Sequence, residues 1–247
     1  MLFRSLAELR PERVFHLASA TVVAGAAAPP ADLVGANLLG TVNLIEACAA
    51  VDIRGLVCTG DSFEYSPSFD ALNESGPCQP ESLHGITKLA ATLYATARAR
   101  ADGLPIVTLR LFSTYGPDDN PRRLVPRVIA GAMGRTPISL SRPGIGRDWI
   151  YVDDVVALYL EAADRAGPLR GRVFNAGSGR KVDLNEVVTT ILSILSSSAE
   201  VRWGVFPAPR HDDHPWFADM TNTFAEFAWR PRTALREGLE RTIEAMT

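Results

Sequence analysis

Short apolar runs alternate with helical stripes along the first half of this chain, and that order constrains the fold more than any other feature. Arg13-Val14-Phe15-His16-Leu17-Ala18 follows Pro11 and reads as a buried strand. Val34, Leu38, Val42, Ile45 and Ala49 then recur at steps of 4, 4, 3 and 4, one stripe of an amphipathic helix. Gly55-Leu56-Val57-Cys58-Thr59 is a second buried run, ended by the polar turn Gly60-Asp61-Ser62. A loop punctuated by Pro67, Pro77 and Pro80 leads to a helix from Leu83 to about Ala101, for which Ser82 is the expected N-cap. Pro105 to Phe112 is a third strand. Strands alternating with helices of this length predict βαβ units and a parallel sheet, hence an α/β fold. In such sheets ligands lie outside the carboxyl ends of the strands. Ala18-Ser19, Asp61-Ser62 and Ser113-Thr114 occupy those ends.

The second half is less regular. Leu124 to Met133 is helical in pattern, and Arg147 to Val152 is a strand feeding a helix at Asp153-Asp154. Val173-Phe174-Asn175 is another strand, closed by Gly177-Ser178-Gly179. Asp183 with Glu186 predicts a capping box for a helix carrying Val187, Ile191 and Leu195. The last helix follows Pro231, with Thr233 as cap, and is expected to bury Leu235, Leu239, Ile243 and Met246. No repeat or low-complexity linker separates the halves, so two interleaved lobes are expected.

Composition narrows the function classes. A chain of 247 residues with 47% hydrophobic and 21% charged residues can bury a substantial core. A net charge of −3 gives no basic field and argues against nucleic acid as a partner. The three cysteines, Cys48, Cys58 and Cys78, lack metal-ligand spacing, and an odd count argues against a disulfide framework. A reducing cytoplasm is the expected compartment. No apolar run approaches a membrane span, so no membrane partner is expected.

The stretch most suggestive of chemistry is Leu83-His84-Gly85-Ile86-Thr87-Lys88. His84 and Lys88 lie one helical turn apart on one face. A proton-transfer group beside an ammonium could work on a substrate hydroxyl or carbonyl.

These stretches, taken together and in order, resemble a known family. Val14 to Ser19, Asn37 to Ala47, Thr59-Gly60-Asp61-Ser62-Phe63-Glu64-Tyr65, Leu109 to Pro117, Arg147 to Asp154, Phe174 to Gly179, Pro209-Arg210 and Trp229-Arg230-Pro231 are similar to the extended short-chain dehydrogenases/reductases. The subclass is the NAD-dependent nucleotide-sugar epimerases and dehydratases. The resemblance implies an enzyme with a Rossmann-like parallel sheet and a smaller mixed α/β substrate lobe. Its implied boundaries are a cofactor domain of 1–117, also receiving 146–178 and part of 214–230, and a lobe of 118–145, 180–213 and 231–247. The implied cofactor is NAD, the implied ligand a nucleotide-diphosphate sugar, and a homodimer is expected. The implied reaction is oxidation of sugar C4 followed by epimerisation or loss of water.

Two departures stand out against the family pattern. The family opens with a strand, a glycine-rich turn and a helix holding the dinucleotide pyrophosphate. Here Met1 falls just before the fourth strand of that pattern, so about 60 residues, the first βαβ unit, are expected to be absent. Glycines 25, 35 and 40 make no G-x-G-x-x-G turn. The chain is then a fragment, a mis-started frame or a short form, and the flank of the Val14–Ala18 strand is an uncovered apolar edge.

The second departure concerns the family's Tyr-x-x-x-Lys pair and its preceding Ser/Thr. Lys88 matches the lysine, His84 occupies the tyrosine position, and Asp61 the Ser/Thr position with Ser62 beside it. Histidine is the commonest general base. Asp61, Ser62, His84 and Lys88 are therefore either a rewired acid/base set or the remnant of a lost one.

Other expectations carry over position by position. Ala18, Ser19, Ala20, Asn37, Thr59, Lys88 and Phe112 fall at cofactor-side positions, Asn37 doubling as a structural brace. Ser113, Arg147 and Arg210 fall at substrate positions, the arginines suited to diphosphate by their forked donors. His16 reads as a satisfied core residue. The run Arg210-His211-Asp212-Asp213-His214 reads as a solvated turn, and no metal is expected. The alternative to an epimerase or dehydratase is a redox-inactive nucleotide-sugar-binding protein, or a short relative doing non-redox acid/base chemistry.

Overall fold

The computed structural model describes residues 2–20, 28–206 and 213–247. The chain runs α1 (Leu2–Leu9), β1 (Arg13–His16), α2 (Pro30–Leu33), a π-helical turn (Val34–Leu39), α3 (Gly40–Ala49) and β2 (Gly55–Asp61). A 3-10 turn (Ser62–Glu64), α4 (Leu83–Asp102), β3 (Ile106–Leu111), β4 (Ser113–Tyr115) and α5 (Leu124–Gly134) follow. Next come β5 (Ile138–Ser139), β6 (Gly146–Tyr151), α6 (Val152–Asp164), β7 (Val173–Ala176) and β8 (Lys181–Asp183). The chain closes with α7 (Leu184–Ile194), β9 (Val201–Arg202), α8 (Thr221–Glu226) and α9 (Leu235–Met246).

The principal sheet is parallel and ordered β1-β2-β3-β7. A second sheet, β4-β6-β8, branches from the end of β3, and β5 pairs with β9. This is the parallel α/β architecture expected from the alternation of strands and helices. Leu109, Leu158, Phe174 and Trp216 belong to one core under the principal sheet. Val128, Ile129, Val187 and Leu239 belong to a second core, built around α5, α7 and α9. The second cluster also takes in Tyr115 and Tyr151, from β4 and β6.

Four details depart from the sequence-based expectations, each for a physical reason. The Val14–Ala18 run is not buried throughout: Phe15, Leu17 and Ala18 are exposed, Val14 is half-buried and only His16 is fully buried. Among the described residues β1 is an edge strand that pairs with β2 alone. The inward line of the second helix is Leu33, Asn37, Thr41, Ile45 and Cys48, not the predicted Val34–Ala49 stripe. The π turn holds Asn37 on the inner line, and polar Asn37 and Thr41 occupy inward positions that apolar periodicity cannot register. Asp183 stands at the N-cap of α7 without a side-chain cap bond, so no capping box forms. Helix α9 is capped by Ala234 rather than Thr233, whose amide donates to Asp154 Oδ2 at 3.0 Å, and Met246 is exposed.

Helix α4 follows its sequence signals closely. Ser82 Oγ accepts from the Gly85 amide at 3.0 Å, and Gly103 ends the helix in the left-handed region at φ 70°. Gly85 lets the first turn press against the 3-10 turn: a Cβ there would sit 2.2 Å from the Phe63 carbonyl oxygen. Gly85→Ala must therefore push α4 away from the β2 terminus. The expected cost is about 1–3 kcal/mol, read as a lower urea midpoint with an unchanged slope.

Candidate active site

The carboxyl ends of β2 and β3 open onto a cavity of about 240 Å³. Asp61, Ser62 and His84 line one wall, and Ser113, Thr114 and Arg147 contribute to the rest. Five sequence-singled positions, Asp61, Ser62, His84, Ser113 and Arg147, thus share one space. Phe112, assigned to the cofactor side, lines the same cavity. Arg210 lies outside the described residues.

Each wall is fixed locally. Asp61 ends β2 in extended conformation and caps the 3-10 turn, its Oδ1 accepting the Phe63 amide at 2.8 Å. Glu64 reciprocates by accepting the Asp61 amide at 2.9 Å, a complete capping box. Arg147 sits on β6 beside fully buried Asp148. Asp148 accepts from the amides of Ser178, Gly179 and Ala218, which ties β6 to the Gly177-Ser178-Gly179 turn.

His84 is 6% exposed. Its Nδ1 lies 3.1 Å from the Ala20 carbonyl oxygen, and its Nε2 lies 3.2 Å from Asp61 Oδ2. Burial pushes the Asp61 carboxyl up. The His84 hydrogen bond and charge, the Phe63 amide and the Lys88 ammonium outweigh that and hold it below the usual carboxylate range. Thr114 Oγ1 is buried without a hydrogen-bond partner among the described residues, an open demand that a polar ligand in the cavity can meet.

Of the other cofactor-side positions, Lys88 and Thr59 form one bonded group and Ser19, Ala20 and Asn37 another, outside the cavity lining. Lys88 is buried and donates from Nζ to the Thr59 carbonyl. Thr59 Oγ1 donates to the His16 carbonyl at 2.7 Å and meets the Tyr159 hydroxyl at 2.8 Å. Asn37 Oδ1 accepts from the Ala20 amide and Ser19 Oγ, and its Nδ2 donates to the Ala20 carbonyl and Thr87 Oγ1. The amide of Asn37 is thereby fully engaged as a brace. Ala18 and Ser19 are exposed beside it.

The family model for the NAD dependent epimerase/dehydratase family matches residues 1–177. The chain belongs to that family. It is 30% identical over 246 residues to a UDP-glucose 4-epimerase of Mycolicibacterium smegmatis, covering 97% of this chain and 77% of the relative. A UDP-glucose 4-epimerase of Thermotoga maritima, solved with UDP-glucose, superposes with a TM-score of 0.91 at 27% identity, covering 100% of this chain and 80% of that one. The Thermus thermophilus UDP-glucose 4-epimerase, solved with NAD, gives 0.86 at 27% identity, with 99% and 80% covered.

Family membership raises the question of whether the residues present suit NAD. Buried Lys88, on α4 one turn after His84 and bonded to the Thr59 carbonyl of β2, suits the ribose beside a nicotinamide. Asn37, at a cofactor-side position, is already satisfied by the Ala20 backbone and Thr87. The described residues supply one end of a dinucleotide site.

Sequence reading missed Arg123 and Trp216, which also line the cavity. Arg123 stands at the N-cap of α5 and pairs with Asp119 at 3.4 Å. The Arg122-Arg123 pair signals a basic turn without saying which side chain faces in. Trp216 is bridged to Arg147 and stacks edge-on against Phe63 with ring centroids 4.7 Å apart. That pairing spans the chain and leaves no local signature.

His16 behaves as a core residue. Thr41 Oγ1 donates to the Asn37 carbonyl, so it accepts from His16 Nε2–H at 2.7 Å. Burial, with the Lys88 charge adding to it, pushes His16 from 6.5 down to about 4. The unfolded chain therefore takes up the proton first. Stability held above pH 6.5 falls as the pH drops toward 4. Between pH 7.5 and 4.5 this amounts to roughly 2–3 kcal/mol. Urea titrations at both pH values should find that fall reduced by that amount in His16→Gln.

Proposed function

We propose that this chain binds a nucleotide-diphosphate sugar and acts as a nucleotide-sugar epimerase or dehydratase, with the sugar in the strand-end cavity. The observation that carries this reading is the convergence of Asp61, His84, Ser113 and Arg147 on one cavity of about 240 Å³. Its volume suits a monosaccharide moiety better than a whole nucleotide sugar. A neighbouring cavity of about 360 Å³, lined by Arg142, Gly146, Lys181 and His214, offers room for the rest of the ligand. Arg147 lines the first cavity and Gly146, its neighbour on β6, the second; Arg147 is the residue assigned to the diphosphate. Arg210 is assigned to the same diphosphate on the strength of its sequence position.

The chain's own residues have distinct tasks in this reading. Arg147 holds the diphosphate through paired N–H donors. Ser113 and Thr114 offer hydroxyls to the sugar. Asp61, Ser62, His84 and Lys88 form the acid/base set. In the family NAD removes and returns a hydride at the sugar. The alternative reading is nucleotide-sugar binding without redox turnover.

Homodimerisation is part of the proposal. Ile86 and Leu93 are exposed on α4, and Val34 and Leu39 on the adjoining π turn. Glu46 joins α3 to α4 through Tyr94 and Arg98, so these apolar groups lie on neighbouring helices. A second copy would cover them. Sedimentation velocity should give a dimer, and Leu93→Asp should shift it toward monomer.

Titration calorimetry with UDP-glucose, with and without NAD, tests the main reading. Saturable binding, weakened about 10- to 100-fold by Arg147→Ala, is expected. Binding that Arg147→Ala leaves unchanged would overturn it. An NAD requirement favours the epimerase or dehydratase, and NAD-independent binding without turnover favours the redox-inactive alternative.

A further inference from the structure

We propose that the proton acceptor facing the cavity is the Asp61 carboxylate, and that His84 is its positioning partner, an imidazolium donating from both ring nitrogens. The assignment follows from what each nitrogen meets. The Ala20 carbonyl, 3.1 Å from Nδ1, can only accept, so Nδ1 carries a proton. Asp61 Oδ2, 3.2 Å from Nε2, belongs to a carboxylate that already takes the Phe63 amide and also accepts at this contact. Either neutral tautomer would set a ring lone pair against an oxygen lone pair in a nearly closed space. With both nitrogens donating, His84 has no lone pair with which to take a proton from a ligand.

Exposure points the same way. The Asp61 side chain is 26% exposed and that of His84 only 6%. Each Asp61 oxygen uses one described hydrogen bond, and a carboxylate oxygen has two acceptor sites. Capacity to accept a hydroxyl therefore remains on Asp61. The surrounding charges act on the two members in opposite senses. Lys88, one turn along the same helix, and Arg123 and Arg147 on the cavity wall favour the Asp61 carboxylate and oppose a charge on His84. Glu64, which accepts the Asp61 amide, is taken by Arg110, so the Asp61 carboxylate is the anion that holds the imidazolium. The role of Asp61 toward a sugar hydroxyl rests on the sugar-binding reading above. The protonation of His84 does not, and it can be read on the ligand-free protein.

Histidine-selective ¹⁵N labelling with long-range proton–nitrogen spectra at pH 7.5 tests it, the His84 signals being assigned by their loss in His84→Gln. The expected His84 pattern is that of an imidazolium with both nitrogens protonated, converting to a neutral tautomer in Asp61→Asn. A neutral tautomer in the unsubstituted protein overturns the proposal, as does an imidazolium that persists in Asp61→Asn. Should Asp61→Asn fail to fold, the spectrum of the unsubstituted protein decides alone. Calorimetry then separates sugar from nucleotide. Asp61→Asn should weaken UDP-glucose at least ~10-fold while changing UDP by less than ~2-fold. Equal losses for both ligands, or no UDP-glucose binding by the unsubstituted protein, overturn the assignment of Asp61 to a sugar hydroxyl and leave the spectrum to judge the ion pair.

Discussion

A buried carboxylate, Glu64, is the joint on which the cavity depends. Its two oxygens accept from the Asp61 amide and the Thr92 hydroxyl, each at 2.9 Å, and from Arg110 Nε at 2.8 Å. These partners come from the end of β2, from α4 and from β3, the three elements whose ends make the cavity wall. Arg110 then lies 4.3 Å over the Tyr65 ring, and the Tyr65 hydroxyl donates to Asn175 on β7 at 2.6 Å. One charged pair thus couples the strand ends laterally across the sheet. A buried pair of this kind adds little stability compared with an apolar substitute, but losing one partner strands the other charge. Its consequence here is geometric: Asp61 cannot move without disturbing Glu64.

That rigidity extends to His84. Its ring bridges Asp61 and the Ala20 carbonyl, and Ala20 is in turn clamped by Asn37. His84 therefore links the strand-end carboxylate to the layer behind it. The aspartate and histidine make sense as a pair, because each gives the other's buried polar atoms a hydrogen-bond partner.

Much of this was legible in the sequence. The alternation of apolar runs and helical stripes gives the parallel sheet, and polar residues at run ends give Asp61, Ser62 and Ser113 as cavity residues. Arg147 was singled out by the family resemblance alone, not by local pattern. The π turn was not legible, because periodicity weighs apolar residues while the inward line here carries Asn37 and Thr41. The start of α9 was missed because the Arg232 and Thr233 amides are both held by Asp154, distant in sequence, which fixes the chain before the helix. Trp216 reaches Arg147 through a bridge between distant segments, which no local pattern encodes. Local rules held where elements form, and failed where the tertiary fold claims a group for itself.

The central claim is that the ends of β2, β3 and β6 together bind the sugar end of a nucleotide-diphosphate sugar. Hydrogen–deuterium exchange with and without saturating UDP-glucose tests it most directly, because it maps binding onto segments without relying on any substitution. Slower exchange is expected together in residues 61–64, 111–115 and 145–149, with no matching change in α1 or α6. Protection confined to other segments, or none at saturation, would contradict the account.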